Sequence, residues 1–244
     1  MNTDNMTISG QTIDYCPCAF IDAYDPKAVF SSIDEQGRYA FGNQPVIAQW
    51  NLARFAETLL PLINPADTDD AIRLATNEVN SIAERYTAVW LDGMRKKLGL
   101  LSAEEEDATL VNDLFEAMLA QNVDYTQFFR MLATATDGHN AAVLSLFEDT
   151  SAIENWLTAW KNRCVRDILS AAARPAQMKS VNPLYIPRNH EVERALAAAN
   201  EGDLEPFRRL NTALASPFEV QSGFETLEQL APEGTAPHVT YCGT

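Results

Sequence analysis

From Val46 to Ala215 the apolar residues recur at intervals of three and four, the period of helices that bury one stripe. Only residues 1–14 alternate with a period of two. There Met6-Thr7-Ile8-Ser9 and Thr12-Ile13 flank Gly10, which predicts two short strands and a tight turn. The pattern predicts a mainly α chain with a short β-hairpin at its N-terminus. At 244 residues and 46% hydrophobic, the chain is long enough to bury a core.

The helices can be placed by their stripes and punctuation. Trp50, Leu52, Phe55, Leu59 and Leu60 set the inner face of a helix from Val46 to Ile63, stopped by Asn64-Pro65. A second runs from Thr68 to Leu98, with Ala75, Val79, Ile82, Tyr86, Val89 and Trp90 inward and Gly99 as its C-cap. Ser102-Ala103-Glu104-Glu105 opens the next, which continues through Leu110, Leu114, Phe115 and Met118. Tyr125–Thr134 and Ala141–Phe147 follow. Ile153–Ala173 reads as one strong helix with Trp156, Leu157, Trp160, Val165 and Ile168 inward. Pro175, Pro183 and Pro187 break the pattern. Residues 189–200 and 203–215 are the last helices, joined by Glu201-Gly202-Asp203. The boundaries are then 1–14 for the hairpin, 15–46 for a long irregular loop, 47–215 for the helices and 216–244 for an irregular tail. A loop as long as 15–46 in a compact domain is usually functional. Trp90, Trp156 and Trp160 fit core spacing, and Glu104-Glu105-Glu106-Asp107 fits a solvated helix start rather than a metal site.

Charge narrows the partners. With 34 acidic and 18 basic residues the formal net charge is −16. Such a surface repels phosphate backbones and anionic lipid, so neither nucleic acid nor membrane is expected as a partner. No stretch has the unbroken apolar length of a membrane span, and the N-terminus lacks a signal-peptide pattern, so a cytoplasmic location is expected. Cys16, Cys18, Cys164 and Cys242 are too scattered for a disulfide framework, and no His–Cys spacing suits zinc.

One cluster carries chemistry. Asp4, Asn5 and Asp14 lie within eleven residues on the expected hairpin. With Ser9-Gly10 at the turn, Asn5 faces Asp14 across the strands, about 5 Å apart at Cβ; with Gly10-Gln11 at the turn the register slips, but Asp4, Asn5 and Asp14 still share one end of the hairpin. Carboxylate and amide oxygens are the hard ligands that Mg²⁺ prefers. A carboxylate beside them can take a proton from an attacking hydroxyl. On spacing alone, solvated turn residues explain the same pattern. The order of hairpin, long loop and many helices is that of a protein-kinase large lobe from its catalytic loop onward.

Longer motifs surround the cluster: Asn2-Thr3-Asp4-Asn5-Met6, Thr12-Ile13-Asp14-Tyr15, Phe20-Ile21-Asp22-Ala23-Tyr24-Asp25-Pro26, Gln36-Gly37-Arg38-Tyr39, Gly42-Asn43-Gln44-Pro45 and Trp50-Asn51-Leu52-Ala53-Arg54. With Asn182-Pro183, Arg188-Asn189 and Glu201-Gly202-Asp203 further on, the chain resembles the C-terminal half of the selenoprotein O family. The resemblance implies a kinase-like C-terminal lobe and a pseudokinase that transfers AMP from ATP to protein Ser, Thr or Tyr hydroxyls, with ATP bound in a flipped orientation. It implies Asp4 as catalytic base, Asn5 and Asp14 as ligands of Mg²⁺ or Mn²⁺, and Asp14 as a contact to the nucleotide. Tyr15-Cys16 departs from the family's pattern after the metal-binding Asp. Cys242 stands where the family places a C-terminal cysteine or selenocysteine. The disulfide partner that some members carry falls at Phe30 here, which leaves Cys16, Cys18 or an unpaired tail cysteine as alternatives. Arg38 suits contact with phosphate, contact with a protein substrate, or a salt bridge within the loop.

No glycine-rich phosphate loop and no strand lysine occur in the sequence. By the resemblance these belong to a small lobe expected upstream of Met1, so a truncated gene, a partial reading frame or an internal start is expected, and a chain that is inactive alone. Loss of that lobe predicts an exposed apolar side on the first helices and self-association. The alternative is a non-catalytic, acidic, helical protein-binding module.

Overall fold

The computed structural model describes residues 3–12, 18–232, 234–235 and 237–241. Among them nine α-helices follow in order: α1 Gln44–Ile63, α2 Thr68–Lys97, α3 Asp107–Ala120, α4 Tyr125–Ala135, α5 Ala141–Leu144, α6 Ser151–Arg166, α7 Arg174–Val181, α8 Asn189–Asn200 and α9 Glu205–Ala215. Strand-like pairing among the described residues is limited to two isolated bridges, Ala23 with Asp124 and Ser31 with Thr240. The chain is mainly helical, as its periodicity predicts.

Residues 3–12, which include the first strand of the expected N-terminal hairpin, form no ladder among the described residues. Thr3–Asn5 form a 3-10 turn, and residues 8–11 bend without a ladder. The Thr7 and Ser9 hydroxyls hydrogen-bond to each other at 2.7 Å, and Ser9 Oγ accepts the Gln11 N–H at 3.3 Å. Such short-range bonds give the backbone an alternative to strand pairing. The return strand, with Ile13 and Asp14, lies outside the described residues.

The chain divides into two compact units. The first comprises residues 1–18, 26–90 and 239–244. Its loop is braced by its own polar groups. The Gly42 N–H donates to the Pro26 carbonyl at 2.8 Å, and the Phe41 N–H to that of Ala28 at 3.0 Å. The Asp34 carboxylate accepts the N–H groups of Arg38 and Tyr39, each at 2.8 Å. A Cβ on Gly42 would meet both the carbonyl oxygen and the Cβ of Pro26 at 3.0 Å, so the close approach needs glycine. Pro45 then sits in the first turn of α1, where its missing N–H costs nothing.

Asn64 turns the chain from α1 into α2, its Oδ1 accepting the N–H groups of Ala66 and Asp67, each at 3.2 Å. Gln49 Nε2 ties the two helices by donating to the Val79 carbonyl at 2.9 Å. A groove of about 430 Å³ is lined by Ala53, Leu60, Ile72, Ala75 and Val79 among others. The expected inner faces are only partly covered. Ile47 and Asn51 are the buried residues of α1, whereas Trp50, Phe55, Tyr86 and Val89 are exposed.

The second unit comprises residues 19–25 and 91–238 and holds a dense core. Leu110, Val111, Leu114 and Met118 of α3, Phe128, Phe129 and Leu132 of α4, and Ile153, Trp156, Leu157 and Trp160 of α6 are buried at helical spacing. The two tryptophans stack at 6.0 Å, and each indole N–H is satisfied by a carbonyl, Leu110 for Trp156 and Leu98 for Trp160. Gly99 ends α2 at φ +71°, with the Leu100 N–H bonded to the Arg95 carbonyl at 2.8 Å. A separate cluster, Tyr185, Leu210, Ala213 and Leu227, packs α9 against the tail.

Several expectations fail in this unit, most of them at a buried ion cluster. The helix expected to reach Ala173 stops at Arg166, because Asp167 turns extended and its buried carboxylate accepts the Ser102 N–H at 2.8 Å and the Ser102 hydroxyl. Val165, expected inward, is 85% exposed, and Ile168 is exposed as well. The helix expected from Ser102 begins at Asp107. Asp107 is no solvated residue: it is 1% exposed and pairs with Arg163 at 2.7 Å and Arg95 at 2.6 Å. Pro175, read as a breaker, starts α7 from its first turn.

Candidate functional site

Asp4 and Asn5 share the 3-10 turn Thr3–Asn5, so adjacent backbone positions present the expected base and one expected metal ligand. Of Asp4 only the backbone is described, and Asn5 is exposed. Asp14 lies outside the described residues. α1 backs the turn: the Nδ2 of buried Asn51 lies 3.6 Å from Met6 Sδ. The motif residue Asn51 therefore contacts Met6, the chain neighbour of Asn5. Amide and carboxylate oxygens fit a hard divalent cation.

The loop after Asp14 is held in its second unit portion by residues that sequence reasoning gave no role. Arg188 is 1% exposed and donates to Asp124 at 2.8 Å and also to Asp22. Burial disfavours its charge, and the two carboxylates more than restore it, so its pKa is raised. Asn189 clasps Phe20 twice, accepting its N–H at 3.0 Å and donating to its carbonyl at 2.8 Å. Asp124 meanwhile caps α4 by accepting the Gln127 N–H at 2.6 Å. The two motif pieces Phe20–Pro26 and Arg188-Asn189 are thus one contact, and their separation in sequence hid it. Asn182 has a comparable role, accepting from Lys97 Nζ at 3.1 Å and donating to the Lys97 carbonyl at 2.9 Å. Gly202 ends α8 at φ +89°, and Asp203 accepts the Glu205 N–H at 2.9 Å, which accounts for Glu201-Gly202-Asp203 as a turn.

The tail meets the loop where the resemblance places a disulfide. The Thr240 N–H donates to the Phe30 carbonyl at 2.7 Å, and the Ser32 N–H to the Thr240 carbonyl at 2.9 Å. Cys16 and Cys242 lie outside the described residues. Cys164 is no reactive thiol, since burial pushes its pKa up to about 11. Among the described residues no group of three His, Cys, Asp or Glu side chains is arranged to hold a metal. No helix among them is long and apolar enough to cross a membrane.

These features have a counterpart among known proteins at the level of class. A family model described as Protein adenylyltransferase SelO matches residues 1–215, which include the Asp-Asn turn, the braced loop and all nine helices. The chain belongs to the SelO family. Among its relatives, a Protein nucleotidyltransferase YdiU of Cereibacter sphaeroides is 54% identical over 245 residues, covering 100% of this chain and 49% of the relative. Proteins of the same name in Mycolicibacterium paratuberculosis and Rhizobium rhizogenes are each 49% identical, again covering 100% of this chain and 49% of theirs. The chain spans about half the length of the curated relatives it matches.

Proposed function

We propose that this chain carries the base and metal portion of a nucleotidyltransferase that moves AMP from ATP to hydroxyl side chains of proteins. The observation that carries the reading is the family match across residues 1–215, which spans the turn holding Asp4 and Asn5. In this reading Asp4 takes the proton of a Ser, Thr or Tyr hydroxyl as its oxygen attacks the α-phosphorus. The bond to pyrophosphate breaks, and pyrophosphate leaves. Asn5 and Asp14 would hold Mg²⁺ or Mn²⁺, whose charge would offset that of the phosphates. Asp14 also meets the nucleotide itself. In this reading the helices belong to a kinase-like large lobe. Phosphate-orienting groups belong to the length of the relatives that this chain does not span. Positioning of that kind is worth about 7–11 kcal/mol of barrier. The 244 residues by themselves are therefore inactive in this reading.

The test is label transfer from α-labelled ATP with Mn²⁺ and a protein acceptor. The chain is assayed alone and joined to the remaining half of the Cereibacter sphaeroides relative. Transfer is expected only from the joined protein, and Asp4→Ala is expected to lower it by about 10²–10⁴-fold. Transfer that survives Asp14→Ala refutes the metal assignment, and transfer by the 244 residues alone refutes the division of labour. The groove between α1 and α2 favours a second reading, an acidic helical module that binds a protein. A joined protein that never transfers label would leave that reading standing.

A further inference from the structure

Two arginines of the first unit frame an exposed tryptophan. The Arg38 guanidinium carbon lies 4.8 Å from the Trp50 ring centre and 5.6 Å from that of Tyr39. The Arg54 guanidinium carbon lies 5.3 Å from the same Trp50 ring. Trp50 is 45% exposed. A salt bridge within the loop is not what occupies Arg38 among the described residues. Asp34, four residues away, accepts the backbone N–H groups of Arg38 and Tyr39 instead. Arg54 pairs at 2.7 Å with Glu57, an exposed contact one turn along the helix that holds little energy.

Stacking uses the flat face of a guanidinium and leaves its N–H edge open to oxygen acceptors in the plane. The patch also sits on the same helix turn as Asn51, whose Nδ2 contacts Met6 beside Asn5. The net charge of −16 repels acidic ligands in general, so an acidic ligand needs local cations to dock. Trp50 gathers two of them on one ring and adds apolar surface for the stem of a Glu side chain.

We propose that Arg38, Trp50 and Arg54 receive Asp or Glu side chains flanking the hydroxyl of the polypeptide that is modified. The acceptor role rests on the function proposed above, but binding can be read without transfer. The experiment uses the 244-residue chain without ATP and follows fluorescence anisotropy of short labelled peptides. All carry one Tyr, flanked by Glu, Gln or Lys. The Glu peptide is expected to bind tightest and to weaken with salt. Arg38→Gln should weaken it about fivefold and the Arg38→Gln/Arg54→Gln pair about tenfold or more. Arg38→Lys should recover only part of the loss, because the ammonium lacks the flat fork. Equal binding of the Glu and Gln peptides overturns the proposal, as does Glu-peptide binding that the paired substitution leaves unchanged. Loss of Mn²⁺–ATP binding in the paired variant with peptide binding intact overturns it in favour of the nucleotide. Loss of self-association with peptide binding intact overturns it in favour of a second copy. Selective Glu-peptide binding beside a joined protein that transfers no label would support the surface and remove the activity reading.

Discussion

The two units treat their apolar residues differently. Among the described residues, the buried apolar side chains of the first unit are Ala40, Ile47 and Ala71, while those from Met94 to Leu227 belong to the second. Yet α1 and α2 also carry apolar residues at helical spacing. Val46, Trp50, Phe55, Ile72, Tyr86 and Val89 are exposed on the first unit. In the second, Trp156 and Trp160 are covered and their N–H groups satisfied. A helical period identifies a stripe, but burial depends on what another element brings to it. The second unit supplies its own cover, and its polar interior is paired to match.

The strongest way to break this contrast is through the ion cluster. Asp107 is buried, and its pKa lies below the ordinary carboxylate value although burial works against it, because Arg163, the Glu104 N–H and Arg95 hold its charge. Asp107→Asn removes that charge and leaves Arg163, 3% exposed, without its main counter-ion. Breaking a buried pair from one side costs about 3–5 kcal/mol. The expected result is a loss of that size in the urea unfolding free energy. A loss below about 1 kcal/mol would mean the cluster is wetter than its burial implies.

A smaller effect should come from Lys97, and it should depend on pH. Its ammonium sits 4.9 Å from the Phe129 ring centre and 5.4 Å from that of Tyr125. Burial lowers its pKa from 10.5 to about 8. Between those values the unfolded chain holds a proton that the folded chain has released, so stability should rise as pH climbs from about 8 toward 10.5. Below that window the charged lysine costs about 3 kcal/mol of differential solvation, partly offset by the two rings. Lys97→Met should flatten the rise. Unfolding of both proteins at pH 7, 8, 9 and 10 measures the difference, and parallel curves would show that Lys97 is not the group responsible.

Much of this was legible in the sequence, for reasons that also mark its limits. Stripes through Leu110–Met118 and Ile153–Trp160 announced their helices, and Gly99 announced the end of one. The same reasoning overran α6, because the carboxylate of Asp167 is drawn to Ser102, a partner 65 residues away that no local pattern reveals. It missed α7 because a proline at a first turn and a proline that stops a helix look alike in one dimension. It predicts strands at 6–9 and 12–13; at 6–9 side-chain hydroxyls bond locally instead, and Ile13 lies outside the described residues. Of the candidate site, Asp4 and Asn5 fall on one turn as their adjacency requires. The contacts that order the neighbouring loop, Asp22 and Phe20 with Arg188 and Asn189, appear only in three dimensions.

The smallest effect should come from the uncovered stripe itself. Val89 is 73% exposed on α2. Val89→Gln removes little buried surface and slightly favours the helix, so unfolding free energy should move by less than about 0.5 kcal/mol. Leu132→Ala, at a fully buried site of the second unit, should cost about 2–5 kcal/mol by the same measurement. Ile72→Gln combined with Val89→Gln should also reduce any concentration-dependent light scattering, because two exposed apolar groups leave the surface. A cost above about 1 kcal/mol for Val89→Gln would show that the stripe is covered in solution, and the contrast between the units would then reflect what surrounds α2 rather than how its sequence packs.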